Sequence, residues 1–303
     1  MTVAEVMEIY RGIHMRNNLK PSTYQSYSVN IDNHILPQLG ERDTDSLEYK
    51  DIDLFVAKLN SKGLNNTTVR YILKVFKQAL SYSVKRQYIR FNIMEVYELP
   101  RKNTYNYTIL SVDEMVLLLK ELLNGDNDIK LIIMFMLCYG MRRGECLGLR
   151  YSDLAEDVLS IRRTTQFTGG KFLTTDCKTE KSKRDILLRP EHLTYIETYH
   201  RERGMNPEGF LMRRKDGSRI TQNILQREFK HILKRLKLPD IRLHDLRHSY
   251  ATMMVRNGVN PKIISSVLGH SSIGITMDLY SHADVSMQTA CLDVVGEKFG
   301  DGR

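Results

Sequence analysis

Cysteine is scarce. The four in 303 residues are Cys138, Cys146, Cys177 and Cys291, and no two of them are spaced as CxxC. That excludes a disulfide-stapled secreted scaffold and fits a reducing cytoplasm. Long apolar runs are missing as well. The nine residues Leu131–Tyr139 suit a buried helix but are too few to cross a bilayer. The first turns hold Glu5, Glu8 and Arg11 where a signal peptide would need a basic start and an apolar run. Low-complexity tracts, internal repeats, a Walker A loop and a dinucleotide fingerprint are all absent. No paired-carboxylate cluster or Cys/His spacing suggests a metal, so the expectation is a reaction with no cofactor and no metal.

What is present is basic and strongly helical. A chain of this length is expected to form about two domains. The net charge of +9 permits a polyanionic partner. Residues 1–102 read as an all-helical unit. Val3, Val6, Met7 and Tyr10 share one helical face. Ser22, after Pro21, opens a second helix through Tyr24, Tyr27, Ile31 and Ile35, and Leu47–Leu59 gives a third. Asn66 or Thr67 is expected to cap a long fourth helix with Val69, Ile72, Leu73, Phe76 and Leu80 on one side. Between Lys62 and Lys102 there are nine Lys or Arg against two Glu. Arg70, Lys74, Lys77, Lys85, Arg86 and Arg90 interleave with the apolar stripe, as a phosphate-reading helix requires and as a solvated face also allows.

Residues 103–107 lie within a polar, proline-containing stretch without periodicity and read as the linker. A second unit, 108–303, opens on Ser111 and Glu114 in capping-box spacing. Val158–Arg162, Phe172–Thr175 and Arg184–Leu188 read as short strands of one small antiparallel sheet, with Gly169-Gly170 as a turn. Pro190–His200 and Ile220–Leu236 are helical again. From about residue 285 a terminal helix places Met287, Cys291, Val295 and Phe299 at nearly heptad steps.

Two stretches of this unit carry polar groups inside apolar patterns. In Ile241–His282, an amphipathic helix begins near Asp245 with a cap at its start, and His244 and Arg247 lie three apart on one face. Asn257-Gly258 ends it, Pro261 opens the next helix, Gly269 stops that one, and His270 follows. A further short helix carries Ile275, Leu279 and Tyr280. An HxxR pair alone fits a solvated helix face, and helix, glycine turn, helix also fits a DNA-reading helix-turn-helix. The partner is upstream, where the apolar Leu131–Tyr139 runs into Gly140, Arg142, Arg143 and Glu145. Arginines at the end of a core helix need an anion. An Arg–Glu pair closing the helix end would supply one, and a bound anion would supply another.

GMRRGE with LRYSD, then HDLRHSYAT, then LGHSSIGITMDLYSH resemble, in order, the boxes of the tyrosine recombinases: the phage and transposon integrases and their Xer-type relatives. The resemblance implies a mainly α fold with a small antiparallel β-sheet: a SAM-like helical core-binding domain followed by a mixed α/β catalytic domain. It puts Arg142 at the first family arginine by Gly-x-Arg spacing, with Arg143 adjacent. His244 and Arg247 fall at the HxxR pair, His270 at the second histidine and Tyr280 at the nucleophile. Lysines 178, 181 and 183 compete for the hairpin lysine, and Lys178 is favoured by the Lys-Thr that follows the family pattern. It also makes Thr23, Arg70, Lys74, Lys77, Lys85 and Arg86 candidates for DNA contact.

Chemistry explains these residue types. A tyrosine hydroxyl, of pKa about 10, attacks a phosphodiester only if its proton is withdrawn and the phosphorane charge is held. Arg142 and Arg247 would clamp two non-bridging oxygens, and His244 would take the tyrosine proton or bond the phosphate. Lys178 would protonate the departing 5′ oxygen while His270 donates to the phosphate. The expected enzyme cuts and rejoins DNA through a 3′-phosphotyrosyl intermediate, without metal or ATP, to integrate and excise a mobile element. Its partner is double-stranded DNA. The resemblance further implies a homotetramer on paired sites, coupled by a C-terminal helix that packs in cis or passes to a neighbour, with directionality or host factors as accessories. The implied setting is the bacterial cytoplasm, at the nucleoid, with no membrane. Xer-like chromosome or plasmid resolution, type IB topoisomerase-like relaxation and non-catalytic DNA binding are the alternatives. Larger integrases carry an arm-binding domain ahead of the helical unit; its absence from this stretch fits either a longer protein from which that domain has been removed or a compact, Xer-like or simple-site enzyme.

Overall fold

The computed structural model describes residues 1–101, 103, 108–124, 127–177, 182–204, 209–269, 272–274 and 277. The chain divides into two compact units, Met1–Asn106 and Tyr107–Arg303. Among the described residues both are mainly helical, and the second adds short antiparallel strands.

In the first unit, α1 (Val3–Ile9) passes through a π-helical turn, Tyr10–Met15, into α2 (Arg16–Asn18). Its start is a capping box in which the Thr2 hydroxyl accepts from the Glu5 amide and Glu5 accepts from the Thr2 amide. α3 (Pro21–Asn30) likewise passes through a π turn, Ile31–Ile35, into α4 (Leu36–Leu39). A 3₁₀ turn, Thr44–Ser46, leads to α5 (Tyr49–Ser61), which starts two residues later than the apolar pattern suggests. The cause is local: Glu48 is held extended as N-cap, with its amide bonded to the Asp51 carboxylate. α6 (Asn66–Lys85) is capped by Asn65, whose side chain accepts from the Thr68 amide, and not by Asn66 or Thr67. Its stripe of Val69, Ile72, Leu73, Phe76 and Leu80 is buried against Ile31, Ile35, Ile52 and Phe55.

In the second unit, α7 (Val112–Asn124) lies on α8 (Lys130–Tyr139), which is buried on all sides and packs along the HxxR helix. α8 ends at Gly140 in the left-handed conformation, with φ +60°. A side chain there would run into Leu268 and Tyr250, so the position needs glycine for space as well as for backbone angle. α9 (Arg143–Gly148) follows at once.

The strands form two sheets where the sequence suggested one. β1 (Leu154–Ala155), β2 (Val158–Ile161) and the later β5 (Arg184–Leu187) make a three-stranded antiparallel sheet in the order β1-β2-β5. β3 (Arg163–Thr168) and β4 (Lys171–Asp176) make a separate hairpin turning at Gly169-Gly170. β3 escaped the sequence because Arg-Thr-Thr-Gln-Phe-Thr has no apolar alternation. It is held by the ladder to β4 and by a half-buried Thr165–Thr174 hydroxyl bond of 2.8 Å. α9 lies on β3, and a Cβ at Gly144 or Gly148 would press into Thr164 or the Arg163 carbonyl.

α10 (Pro190–Arg203) and α11 (Gln222–Arg235) complete the core around Tyr199 and Phe229. α12 (Leu243–Arg256) carries HxxR, and α13 (Pro261–Leu268) stops at Gly269 in the left-handed conformation. Asp245 is the third residue of α12 and not its cap; the N-cap is Arg242, whose amide donates to the buried Asp245 carboxylate at 2.8 Å.

Candidate active site

Three segments meet in the second unit: the end of α8, the middle of α12 around Arg247 and Tyr250, and the end of α13. Arg142, extended as the N-cap of α9, aims its guanidinium at the carbonyls that α13 leaves unbonded at its C-terminus. Nη2 donates to Gly269 O at 2.8 Å and Nη1 to Leu268 O at 3.3 Å. Arg247 reaches the same place from α12. Its Nη2 donates to Leu268 O at 2.7 Å and its Nη1 to Gly140 O at 2.6 Å, the carbonyl that closes α8. The two guanidiniums therefore share one acceptor. Negative helix ends are suitable holders for cations.

Glu145 is 3 % exposed and supplies the carboxylate. Its Oε1 accepts from Arg142 Nη1 at 2.8 Å and its Oε2 from the Arg142 amide at 2.8 Å. Arg184, on β5, donates to the same two oxygens at 3.1 and 2.9 Å. Burial opposes ionisation of Glu145, yet the bond and charge of Arg184, then those of Arg142, outweigh it and keep the carboxyl below its ordinary range. Three cations thus surround one anion. Arg247, 3 % exposed, records the imbalance: burial first, and Arg142 second, push its guanidinium down to about 9. It stays charged at neutral pH, at a cost that an arriving anion would relieve.

His244 is on the exposed first turn of α12, its ring edge-on to His248 at 4.9 Å. Desolvation, then His248 and Arg247, push its imidazolium down to about 4. Water on the exposed edge softens that shift, but the direction leaves a neutral ring, able to accept a proton, at pH 7. Tyr250, the other tyrosine of this region, packs under Gly140 in a small apolar cluster, and burial raises its hydroxyl pKa. That makes it a poor nucleophile.

Of the six residues expected from the sequence, Arg142, His244 and Arg247 are described and lie in this one region. Lys178, His270 and Tyr280 lie outside the described residues. Lys178 falls in the segment between Cys177, at the end of the β3–β4 hairpin, and Ser182, just before β5. Among the described residues, no group of three His, Cys, Asp or Glu could hold a metal ion, and no helix is long and apolar enough to cross a membrane. The terminal helix expected from about residue 285 also lies outside the described residues.

The candidates for DNA contact in the first unit differ in their freedom. Arg70 is half-buried and donates to Leu99 O at 3.0 Å, and Lys77 pairs with Glu95 at 3.2 Å. Lys74 and Lys85 are exposed, Arg86 lies 5.6 Å from the Tyr82 ring centroid, and Thr23 is half-buried on α3. The sequence missed a polar strip beside Lys74, in which the Ser26 and Tyr71 hydroxyls bond at 3.2 Å and Tyr27 donates to Gln78 at 2.9 Å. It also missed Arg184, hidden in a run of charged residues.

Residues 108–287 match the model of the phage integrase family, and residues 2–60 match that of the phage integrase N-terminal SAM-like domain. A protein named tyrosine recombinase XerC-like from Caldanaerobacter subterraneus subsp. tengcongensis is 25 % identical over 99 % of this chain and 84 % of its own. The ICEBs1 integrase of Bacillus subtilis is 25 % identical over 90 % of this chain and 77 % of its own. The integrase of transposon Tn1549, solved in complex with a circular intermediate DNA, superposes with a TM-score of 0.83 at 22 % identity, covering 97 % of this chain and 99 % of that one. At that identity the superposition shows a shared fold.

Proposed function

The chain belongs to the phage integrase family of tyrosine recombinases, and from that premise we propose that it is a site-specific integrase that cuts and rejoins double-stranded DNA of a mobile element through a 3′-phosphotyrosine at Tyr280. The observation that carries the proposal is the pair of guanidiniums, Arg142 and Arg247, hung from the single carbonyl of Leu268 with one carboxylate among three cations.

A guanidinium has five N–H bonds. The described residues take three from the Arg142 side chain and two from that of Arg247. In the proposed complex the scissile phosphate takes donors from both. Negative charge on its non-bridging oxygens rises as the phosphorane forms, so donors already in place stabilise that state more than the ground state. His244, neutral at pH 7, accepts the Tyr280 proton, and Tyr280 Oη bonds to phosphorus as the 5′ oxygen leaves with a proton from Lys178. His270 donates to the phosphate. The ester conserves the bond until a second 5′ hydroxyl attacks, so the cycle needs neither nucleotide nor metal.

Recombining two duplexes exchanges four strands, each requiring a nucleophile, and from this comes the proposal of a tetramer on paired sites. The segment from residue 285, with Met287, Cys291, Val295 and Phe299, is proposed to join neighbouring copies. An apolar groove of about 460 Å³ between α7, α8, α10 and α12, lined by Val112, Val116, Leu123 and Met253, offers a surface for it. The first unit, residues 1–102, is proposed to hold core-site DNA through Thr23, Lys74, Lys85 and Arg86, with residues 103–107 linking it to the second. Directionality or host factors, and a cytoplasmic location at the nucleoid, complete the reading.

The test is to incubate the protein with nicked duplexes spanning the ends of the element that encodes it and to look for an SDS-resistant protein–DNA band. The adduct should map to Tyr280, and Tyr280→Phe should bind DNA but form none. An adduct surviving in Tyr280→Phe refutes the assignment. Strand joining that requires two sites distinguishes recombination from topoisomerase-like relaxation.

A further inference from the structure

Arg184 belongs to none of the roles above, yet it is 9 % exposed and its charge points inward. It begins β5, opposite Ile161 of β2, and its carbonyl accepts from Arg162 Nη1 at 3.1 Å, so its backbone is fixed by the sheet. Its fork closes on both oxygens of Glu145. Arg142 touches the same oxygens differently, with one guanidinium nitrogen on Oε1 and its own amide on Oε2.

The geometry has an electrostatic consequence. An arginine and a carboxylate left to themselves close into a two-bond fork, which neutralises both and is geometrically strong. Glu145 would close on Arg142 in that way if it could turn. Arg184 prevents the turn, because its two guanidinium nitrogens already hold both oxygens of Glu145. Glu145 is left with a single side-chain bond to Arg142, and among the described residues Arg142 keeps Nη2 on Gly269 O with two of its five N–H donors and part of its positive charge to spare. The carboxylate still orients Arg142, but its charge is divided between two cations.

We propose that Arg184 is a positioning residue: by engaging Glu145 bidentately it keeps that carboxylate from neutralising Arg142, so that the Arg142 guanidinium remains available to the scissile phosphate. This rests on the recombinase reading of the site. It makes Arg184 an indirect contributor to the rate and not a contact to DNA. The segment holding Lys178 also ends at β5, so one strand bounds that segment and sets the charge at Arg142.

The experiment is a double-mutant cycle on the full chain, reading the rate of covalent adduct formation on nicked duplex at saturating DNA, with the Kd for the same duplex measured alongside. Arg184→Met is expected to slow adduct formation on the order of 10- to 100-fold, a fraction of what losing a direct oxyanion donor costs, with Kd changed less than about threefold. In a Glu145→Gln background there is no carboxylate to restrain, so adding Arg184→Met is expected to change the rate less than about threefold. A merely structural role would not give this pattern, since the same buried contacts are lost in both backgrounds. If Arg184→Met slows the Glu145→Gln protein as much as the wild type, or leaves the wild-type rate unchanged, the inference is wrong. Should Arg184→Met fail to fold, Arg184→Lys completes the cycle: it keeps the charge without the fork, and a wild-type rate in it overturns the proposal. A wild-type protein that forms no adduct refutes the recombinase reading, and this inference with it, whereas a wild-type adduct with an additive cycle refutes this inference alone.

Discussion

Replacing Gly140 with alanine should damage the protein in two ways that can be separated. The first is backbone strain: φ is +60°, where a Cβ costs about 1–2 kcal/mol. The second is overpacking, because the new methyl enters Leu268 and stands 2.6 Å from Tyr250 Cδ1, and displacing packed side chains costs about 1–3 kcal/mol. Together these give about 2–5 kcal/mol, or about 5–15 °C in the midpoint of the unit that holds it. Gly258 is the internal control. Its φ is +70° but nothing lies within 4 Å of an added Cβ, so Gly258→Ala should show the backbone cost alone. The lower entropy of an unfolded alanine chain is common to both and cancels. Thermal unfolding by circular dichroism measures the difference, and adduct formation well below the midpoint measures the site, since moving Leu268 moves the carbonyl that both arginines share. Equal midpoints for the two variants would refute the argument that α12 and the end of α13 pack against the chain reversal at residue 140.

Three further outcomes follow from the same geometry. Arg247→Lys keeps a charge but cannot span Gly140 O and Leu268 O, and should slow adduct formation on the order of 10²-fold with little change in DNA affinity, as measured by single-turnover cleavage. Because the His244 pKa is depressed on folding, from an ordinary 6.5 towards about 4, the unfolded chain binds the extra proton first. Its neutral form therefore contributes stability that is complete above pH 6.5 and is lost as pH falls towards 4. Midpoints of wild type and His244→Gln, compared at pH 7 and pH 5, should shift against the wild type at the lower pH; a constant gap would contradict the shift. In the first unit, Lys74→Ala should lower DNA affinity and reduce the salt slope by about one, whereas Arg70→Ala should appear chiefly as lost stability, since its guanidinium holds the Leu99 carbonyl. Filter binding across a salt series, with thermal melts, tells the two apart.

The sequence carried the helical core well because its signals were unambiguous: nine apolar residues in α8 leave no exposed face, and the α6 stripe repeats over about three turns. Strand β3 was illegible because threonines fit a ladder or a loop equally well until a partner strand is supplied. Spacing within motifs singles out Arg142, His244 and Arg247 as candidates, but spacing does not say what holds them. The holders are main-chain carbonyls brought from residues 107 and 126 positions away, and a carbonyl has no letter in the sequence. Arg184 was hidden for a related reason. It follows a stretch rich in lysine, and only pairing with Ile161 of β2 turns it inward. For Arg70 and Lys77, two of the candidates for DNA contact, nothing local announces that Leu99 and Glu95 fold back against α6 and engage them.

That the arginines hang from carbonyls bears on how such a protein tolerates drift. Every amino acid brings the same carbonyl, so no substitution at Leu268 or Gly269 deletes the acceptor; it can only shift it by disturbing the backbone path. Selection on the clamp therefore acts on the course of the chain around Gly140 and Gly269 more than on the identities of the neighbours, and relatives can exchange most of their side chains while inheriting the same charged pair. Variation among descendants is then expected to accumulate on the faces of α12 and α13 before it reaches the turns at Gly140 and Gly269.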